Sequence, residues 1–356
     1  MLARFAYLNA GTFGPLPRRS ASAMADAVVR DLQLGRSSRE FFESLLALRE
    51  ELRESFRLLL GAQAGSIALT ASTTEACNVV LGGLGLGPGD EVVTTDSEHP
   101  GLFGGLVASG ATLRVAAIRE RPAAEALAAL ESELSERTRL IALSHVSWLT
   151  GAVLPVVELA GRGVPLLVDG AQAAGAIPVD VTELDCDFYT VSAQKWLLGP
   201  DATGCLYVKP EHVEELRLAM PSYLSWQHPE YEPKPDAARF DPGWIPAASL
   251  AGLRGALEFA AEVGEERFAR ARTMAERCRE LLAQRVEVVT EPGQATLVTF
   301  RADEPEALVA RLAEADVVVR DLPGTGWVRA SCGWWTSEED LERLVRVASP
   351  SSMPSS

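Results

Sequence analysis

The chain has 356 residues, 47% of them hydrophobic, which is enough to bury one large core or two unequal ones. Its formal net charge of −16 argues against a surface that binds nucleic acid or an anionic membrane. The apolar stretches are interrupted by Gly, Pro or charge before about 18 residues, so no membrane span is predicted.

The amino terminus and the cysteines predict a compartment. Met1 to Asn9 contains neither the long apolar region nor the cleavage site of a secretion signal. The five cysteines are odd in number and none has CxxC spacing. This usage is typical of a reducing compartment, so we expect a cytoplasmic protein without a metal site.

From about residue 66 to 210, short β-rich runs alternate with helical ones. Strands are predicted at 67–70, 91–94, 113–118, 140–146, 164–169, 188–192 and 205–208, and a helix between two of them at 123–134. Alternation of this kind predicts an α/β fold with a mainly parallel sheet covered on both faces. Ligands of such sheets bind beyond the carboxyl ends of the strands, where Thr73, Asp169 and Lys195 lie.

Two polar motifs follow the first strands. Ser72-Thr73-Thr74-Glu75 opens a helix, and its hydroxyls and free N–H groups suit a phosphate ester, although a plain N-cap is the alternative. His99 suits stacking on a planar ring and proton transfer, and the alternative is a solvated loop histidine. The glycine run 82–89 follows a helix, so it predicts a helix C-cap and turn and not a nucleotide-binding loop.

Two later strands end in groups of opposite charge. Val164 to Asp169 is a buried strand that ends in an acid, and Gln172 follows it. Lys195 follows the apolar strand 188–192, where a lysine is costly unless its amine is used. Pyridoxal 5′-phosphate (PLP) needs this pair: a carboxylate to keep its pyridine nitrogen protonated and a lysine to hold its aldehyde as a Schiff base.

The pattern of predicted secondary structure changes after about residue 247. A long helical stretch, 248–284, is interrupted at Gly264, and strands are predicted at 286–290, 296–301, 317–320 and 327–332, with a helix at 305–315 and a last helix opened by a capping box from Thr336 to Glu339. We therefore predict a segment 1–14 that packs with the small domain, a large domain 15–246, a small α+β domain 247–348 and a disordered tail 349–356. Arg329, in an apolar strand, suits an amino-acid carboxylate, or alternatively a structural ion pair.

The order of these motifs resembles the class V aminotransferase family, the fold-type-I PLP branch that includes cysteine desulfurases, cysteine and cystine C–S lyases and isopenicillin N epimerase-like enzymes. Asp169-Gly170-Ala171-Gln172 is similar to the family's Asp-x-Ala-Gln, and Ser192-Ala193-Gln194-Lys195 to its Ser-x-His/Gln-Lys. The resemblance covers nearly the whole chain. It implies a large domain with a seven-stranded sheet and a smaller C-terminal domain.

The resemblance also implies residue roles. Lys195 forms the Schiff base, Asp169 pairs with the pyridinium nitrogen, Gln172 touches the phenolic oxygen and His99 stacks on the ring. Phosphate is held by four residues: Thr73, Thr74, Ser192 and Gln194. Arg329 binds the substrate carboxylate, and three further substrate contacts are expected: Asn9, Thr12 and Trp148. Trp148 stands where many relatives have asparagine, so it either selects a bulky substrate or serves packing.

The expected reaction proceeds through an external aldimine and loss of the Cα proton, with Lys195 as base. Desulfurases of this family carry a persulfide-forming cysteine on a loop before the substrate-binding arginine, but segment 321–327 has none. We therefore expect a C–S β-lyase acting on cysteine, cystine or an S-conjugate. Transamination is the second hypothesis and epimerisation or racemisation the third. A pseudoenzyme scaffold is the non-enzymatic alternative.

Relatives place the active site at a subunit seam, so the resemblance implies a homodimer. Trp244 lies near the position where a neighbouring subunit usually offers a threonine to the phosphate. We expect the loop of Gly243 and Trp244 to reach across this seam.

Overall fold

The fold is taken from a computed structural model that describes residues 1–348. The predicted tail 349–356 lies outside the described residues. In chain order the elements of the first part are β1 (Ala6–Tyr7), α1 (Arg18–Leu34), α2 (Arg39–Leu59), β2 (Ile67–Thr70), α3 (Thr73–Leu84), β3 (Glu91–Thr95), α4 (Pro100–Ala108), β4 (Thr112–Ala116), α5 (Ala126–Glu131), β5 (Thr138–Ser144), α6 (Val156–Leu159), β6 (Leu166–Asp169), α7 (Val181–Leu184), β7 (Phe188–Ser192) and β8 (Gly204–Val208).

The second part begins with a short hairpin and continues into two long helices. Its elements are β9 (Trp226–Gln227), β10 (Glu232–Pro233), α8 (Ala247–Val263), α9 (Glu266–Ala283), β11 (Leu297–Arg301), α10 (Pro305–Glu314), β12 (Val317–Val318), β13 (Arg320–Leu322), β14 (Trp327–Ser331) and α11 (Glu338–Ala348). No helix within residues 1–348 has the length and apolar character that a membrane span requires.

Seven strands form the central sheet, in the order β2-β8-β7-β6-β5-β3-β4. The neighbours from β7 to β4 are parallel, and only β8 runs antiparallel to its two neighbours. The predicted α/β fold with a mainly parallel seven-stranded sheet is therefore confirmed. Because β2, β3, β6 and β7 run in the same direction, their carboxyl ends meet at one edge of the sheet.

Both faces of the sheet are buried except at the edge strand β4, which explains the unbroken apolar strands in the sequence. Along β6, Leu166 and Val168 pack into one apolar cluster with Phe56 of α2, whereas Leu167 packs into a second cluster with Cys77 of α3. A strand that alternates between two apolar layers has no face left for polar residues. The polar residue of β6, Asp169, accordingly stands at the carboxyl end of the strand.

The C-terminal part has its own sheet and core. Strands β11, β14 and β13 form a three-stranded antiparallel sheet, and α9, α10 and α11 contribute to an apolar cluster that includes Leu282, Leu312 and Leu344. The amino-terminal strand β1 pairs with β12 in parallel register, so the chain start joins this part. The exact domain boundaries stay a prediction.

Four predicted elements were wrong in detail. Residues 286–290 form no strand and contribute one isolated bridge, Val288 to Phe300. The predicted strand 317–320 divides into β12 and β13, which pair with different partners. The predicted helix 123–134 is a 3-10 turn followed by the shorter α5.

The fourth correction concerns the capping box of α11. Its reciprocal pair is Ser337 with Asp340, since each backbone N–H donates to the other's side chain. Thr336 caps nothing in the helix, because its hydroxyl accepts from Gly333 N. Thr336 and Ser337 are both hydroxyl residues with an acid three positions later, so the sequence pattern does not tell which of them caps the helix.

Candidate functional site

Asp169 and Lys195 stand at the carboxyl edge of the sheet. Asp169 ends β6, and its Oδ1 accepts a hydrogen bond from Ala171 N at 2.9 Å. Burial raises the pKa of this carboxyl, while the Lys195 amine and the Ala171 N–H oppose the shift. Burial lowers the pKa of Lys195 to about 8, with Asp169 opposing and Arg329 adding to the shift. A neutral amine therefore becomes roughly 300-fold more populated near neutrality than at an ordinary lysine.

The start of α3 brings together residues of the predicted anion site. Ser72 accepts from Glu75 N at 3.1 Å and Glu75 accepts from Ala71 N, directly before the N-cap, at 2.6 Å, so a pair of hydrogen bonds close to a capping box fixes the helix start. Thr73 N donates to Ser192 Oγ at 3.2 Å, which brings two of the predicted phosphate ligands together from β7 and α3. A free helix N-terminus with hydroxyls around it suits a phosphate.

Thr74 and Gln194 complete the set of predicted phosphate ligands. A Cβ at Gly101 would overlap Thr74 Oγ1, so the start of α4 approaches Thr74 closely. Gln194 Oε1 is buried and has no hydrogen-bond partner among residues 1–348. A half-turn of this amide presents its NH₂ group at the same place, where an anion would satisfy it.

His99 caps α4 at the end of β3. Its Nδ1 accepts from Gly101 N at 3.0 Å, which places the ring proton on Nε2. The ring meets Trp148 edge-on, with centroids 5.2 Å apart. Burial lowers the pKa of His99 to about 4, and the charges of Lys195, Arg320 and Arg329 add to this shift. At neutral pH the ring is therefore uncharged.

Gln172 is buried beside the lysine loop. Its Nε2 donates to Gly11 O at 2.9 Å, and its Oε1 accepts from Trp196 Nε1 at 3.0 Å. The amide is thereby fixed between the amino-terminal segment and the residue after Lys195. One N–H of the amide has no partner among the described residues and stays available to a ligand.

Arg329 lies fully buried in β14 without an acidic partner among residues 1–348. Its Nη1 donates to Trp148 O at 2.6 Å, while its Nε and Nη2 are buried and unpaired. Burial lowers the pKa of this guanidinium to about 9. A buried cation with two free donors in a fork is poorly stabilised until a carboxylate binds.

A second arginine lies beside the first. Arg320 on β13 pairs in register with Arg329 on β14, and its Cζ lies 6.0 Å from the centre of the Trp148 ring. Its Nη1 donates to Thr12 Oγ1 at 3.4 Å, and Thr12 donates in turn to Asn9 Oδ1 at 2.9 Å. The three expected substrate contacts, Asn9, Thr12 and Trp148, therefore surround the arginine pair.

These groups fit PLP and an amino-acid substrate. A phosphate needs the donors around Thr73 and Gln194, a pyridinium needs a buried acid, and an aldehyde needs a free amine. Lys195 Nζ has no hydrogen-bond partner within residues 1–348, and the free donors of Arg329 match a substrate carboxylate. The unpaired polar groups are thus those that the cofactor and its substrate would satisfy.

Sequence reasoning missed two residues of this site, Glu98 and Arg320. Glu98 is buried and bonded to the ends of two strands. Its only signal was its position directly before His99. Arg320 is brought to Arg329 by hairpin pairing, and its only signal was a charge at the end of an apolar run.

None of the five cysteines lies in segment 321–327, where a persulfide-forming cysteine would be expected in a desulfurase. β13 and β14 are joined by the turn 323–326, in which Thr325 Oγ1 donates to Leu322 O at 2.7 Å. All five cysteines are free and buried, and Cys332 packs with Cys278 in the C-terminal core. Cys332 therefore serves packing as a small buried hydrophobe.

Known proteins resemble this chain over almost its whole length. The family model described as aminotransferase class-V matches residues 17–344. An isopenicillin N epimerase from Streptomyces clavuligerus is 32% identical, covering 95% of this chain and 92% of the relative. A probable cysteine desulfurase from Halalkalibacterium halodurans is 29% identical, covering 84% and 80%.

Solved structures of C-DES match the fold closely. The complex of the cystine C–S lyase C-DES with its reaction product cysteine persulfide has a TM-score of 0.92 and 30% identity over 98% of this chain and 99% of that chain. A mutant of C-DES with glycine covalently linked to the PLP cofactor has a TM-score of 0.91, again at 30% identity, over 98% and 97%.

Proposed function

This chain belongs to the aminotransferase class-V family, and we propose that within it the protein is a C–S β-lyase that cleaves a cystine-like substrate. It is a PLP-dependent enzyme of fold type I. In the proposed reaction the Cα proton is removed and the Cβ–S bond breaks, with its electron pair leaving on sulfur. Cystine and water then yield pyruvate, ammonia and cysteine persulfide.

The residues divide this work between them. When bound, PLP supplies an electron sink for the charge that develops on Cα. Lys195 Nζ is proposed to accept the Cα proton, since its lowered pKa of about 8 makes it a competent base. Asp169 would hold a proton on the ring nitrogen of the bound group, and His99, uncharged at neutral pH, would face the ring without adding a competing charge.

The arginine pair is the observation that carries the choice of substrate. Like charges directly opposite each other on paired strands are destabilising, and the described residues provide no acid to either Arg320 or Arg329. One α-carboxylate neutralises one guanidinium, so a second carboxylate on the distal half of the substrate would neutralise the other. Cystine has this pattern, and cysteine and S-methylcysteine do not.

A substrate panel tests the proposal. Purified holoenzyme is incubated with cystine, cysteine and S-methylcysteine, and pyruvate and persulfide are measured. We expect cystine to be turned over with the highest kcat/KM. If none of the three yields pyruvate, the lyase proposal is wrong while the cofactor assignment stands.

Two arginine variants test the substrate pattern within the same assay. Arg320→Gln should raise the KM for cystine at least about 10-fold and change that for S-methylcysteine by less than about 2-fold, because only cystine has a distal carboxylate. Arg329→Gln should impair both substrates, since both share the α-carboxylate. Equal effects of Arg320→Gln on the two substrates would contradict the two-carboxylate pattern.

Epimerisation is the second candidate, because the relative at 32% identity is named isopenicillin N epimerase. It differs from elimination in the fate of Cα, which regains a proton from the opposite face. Chiral chromatography of recovered amino acids after incubation in D₂O distinguishes the two: inverted, deuterated product favours epimerisation. Conversion of the cofactor to pyridoxamine phosphate would favour transamination.

We further propose a homodimer, with an exposed aromatic cluster formed by Phe42, Tyr223 and Trp244 in the interface. Tyr223 and Trp244 stack with centroids 6.0 Å apart, and Phe42 meets Trp244 at 6.3 Å. All three rings are exposed in the single chain, as are apolar residues of α1 such as Leu32. Large exposed rings in one patch mark protein interfaces.

The free cysteines support a reducing compartment such as the cytoplasm.

A further inference from the structure

Glu98 is a buried carboxylate directly before His99, and none of the roles proposed above uses it. It accepts three hydrogen bonds: from Thr95 Oγ1 at 2.6 Å, from Ser144 N at 2.9 Å and from Ser144 Oγ at 2.6 Å. Thr95 ends β3 and Ser144 ends β5. The carboxylate therefore joins two neighbouring strands at the edge of the sheet where the site lies.

The bonds of Glu98 relate His99 to Asp169. Ser144 pairs in register with Asp169 on the next strand, and His145 N donates to Asp169 O at 2.9 Å. The His99 side chain makes no hydrogen bond to a strand of the sheet: within residues 1–348 its Nδ1 accepts from Gly101 N in α4 alone. The position of its ring depends on how the turn 96–99 is held.

The opposite side of this turn is already fixed. Asp96 Oδ1 accepts from Ile118 N and Arg119 N, both at 2.9 Å, beyond the end of β4. Glu98 provides the matching attachment toward β5 and β6. A turn held on both sides has one orientation, whereas a turn held only at Asp96 can pivot.

We propose that Glu98 is a positioning residue that fixes the orientation of the His99 ring relative to Asp169. The residue that faces the ring of a bound cofactor and the residue that pairs with its ring nitrogen would then keep a fixed relative position. This inference rests on the proposed roles of His99 and Asp169. It acts through hydrogen-bond geometry and not through a charge. Burial raises the pKa of Glu98 to about 7, with Asp169 adding to the shift, so a role that required a permanent negative charge would be poorly served.

Glutamine can satisfy the same network. Its Oε1 accepts from Ser144 N and Oγ, and its Nε2 donates to Thr95 Oγ1 once that hydroxyl rotates. Glu98→Gln should therefore retain the geometry, whereas Glu98→Ala removes all three bonds. Because the cofactor is held in a chiral site, its visible circular dichroism reports the fixed geometry without any substrate present.

We expect the visible circular dichroism per bound cofactor to fall at least about 2-fold in Glu98→Ala and to return to near the wild-type value in Glu98→Gln. With cystine, Glu98→Ala should lower kcat by about 10-fold and change KM by less than about 2-fold, since the arginine pair is untouched. Far-UV spectra and melting temperatures establish that each variant is folded.

A double-mutant cycle with His99→Ala decides whether Glu98 acts through His99. In the His99→Ala background, Glu98→Ala should cause no further loss of the cofactor signal. If Glu98→Ala does not fold, the double variant Thr95→Val with Ser144→Ala replaces it in the same cycle. An unchanged signal in Glu98→Ala, or an equal loss with and without His99, would overturn the proposal. Because the signal needs no substrate, it is independent of whether the lyase assay succeeds.

Discussion

Lys195 and Lys209 differ in the sign of their pKa shifts, and the chain has only one other lysine, Lys234. Burial lowers the pKa of Lys195 to about 8, whereas a hydrogen bond to Asp185 raises that of Lys209. With PLP and borohydride we expect peptide mapping to find the reduced adduct on Lys195. Lys195→Ala should lose the adduct and at least about 100-fold in turnover, because the base is removed.

Lys209→Ala is the matched control for this prediction. Its amine is held by Asp185 at 2.9 Å and by Glu211 at 3.2 Å, away from the carboxyl edge of the sheet. The variant should keep the adduct and the turnover of the wild type. An adduct found mainly on Lys209 or Lys234 would refute the assignment of Lys195.

Glu98 also gives a prediction about stability and pH. Its pKa rises from 4.5 to about 7 on burial, so folding favours its protonated form. The resulting stabilisation is present below the ordinary pKa and is lost as the pH rises through about 7. Glu98→Gln lacks this loss, so its stability relative to wild type should increase between about pH 4.5 and 7, by at most about 3 kcal/mol, and stay level above about pH 7.

Chemical denaturation of both proteins at several pH values measures this difference. Glu51→Gln, a change at an exposed acid, serves as the control and should show no such trend. A difference between Glu98→Gln and wild type that is constant with pH would mean that Glu98 titrates normally in the folded protein.

The site residues that could be identified from the sequence are those whose role follows from the segment in which they lie. Asp169 ends one apolar strand and Lys195 lies three residues after another, so their place at the sheet edge follows from their own segments. Glu98 and Arg320 depend on contacts across segments: Glu98 with Ser144, 46 positions later, and Arg320 with a hairpin partner. No local pattern encodes such pairs.

At the scale of elements, the amino-terminal segment 9–14 joins the two halves of the site. Gly14 N donates to Gln194 O at 2.7 Å, beside the lysine. A Cβ at Gly11 would lie 2.8 Å from Arg329 Nη2, so the same segment contacts the arginine pair. Both approaches require a residue without a side chain. The segment thus sets the distance between amine and guanidinium.

Gly14→Ala tests this role. Its Cβ would overlap Lys195 O, so the segment or the lysine loop must shift, at a cost of about 1–3 kcal/mol. We expect a lower melting temperature, weaker PLP binding and an altered visible spectrum. Gly104→Ala in α4 is the control, because beyond the backbone of its own helix no atom would lie within 4 Å of the added Cβ, and alanine favours a helix.

Equal behaviour of the two glycine variants in PLP titrations would contradict this function of the segment. A decrease in melting temperature alone, with normal PLP binding, would show that Gly14 matters for packing and leaves the lysine loop in place.

Elements were predictable where one physical signal dominated. The apolar strands of the central sheet and the break at Gly264 are such cases, and all are found close to their predicted bounds. The predicted strand 286–290 failed because its contact with β11 is irregular: it forms one isolated bridge, Val288 to Phe300, and β propensity alone does not ensure a regular ladder. The capping box of α11 was predicted one residue too early, because Thr336 and Ser337 have the same local sequence pattern.

At the scale of the whole molecule, the site lies between two bodies of structure. Lys195, Asp169 and His99 stand on the large sheet, whereas Arg329 and Arg320 stand on the C-terminal sheet. Substrate that bridges amine and guanidinium therefore contacts both. We propose the boundary near residue 247, at the start of α8, as the place where these parts join.

The proposed dimer gives the last prediction. Trp244 lies three residues after Asp241, whose buried carboxylate is held by Arg49 and by the largely buried Arg53, with Arg53 Nη2 at 2.7 Å. A rigid attachment that presents an exposed ring has the character of an interface anchor.

Light scattering should therefore give the wild type twice the 38.1 kDa mass of one chain, and Trp244→Arg with Tyr223→Ala should give a monomer. Val157→Ser, at an exposed apolar residue outside the aromatic cluster, should remain a dimer. A monomeric wild type, or a double variant that stays dimeric, would contradict an interface built on these rings.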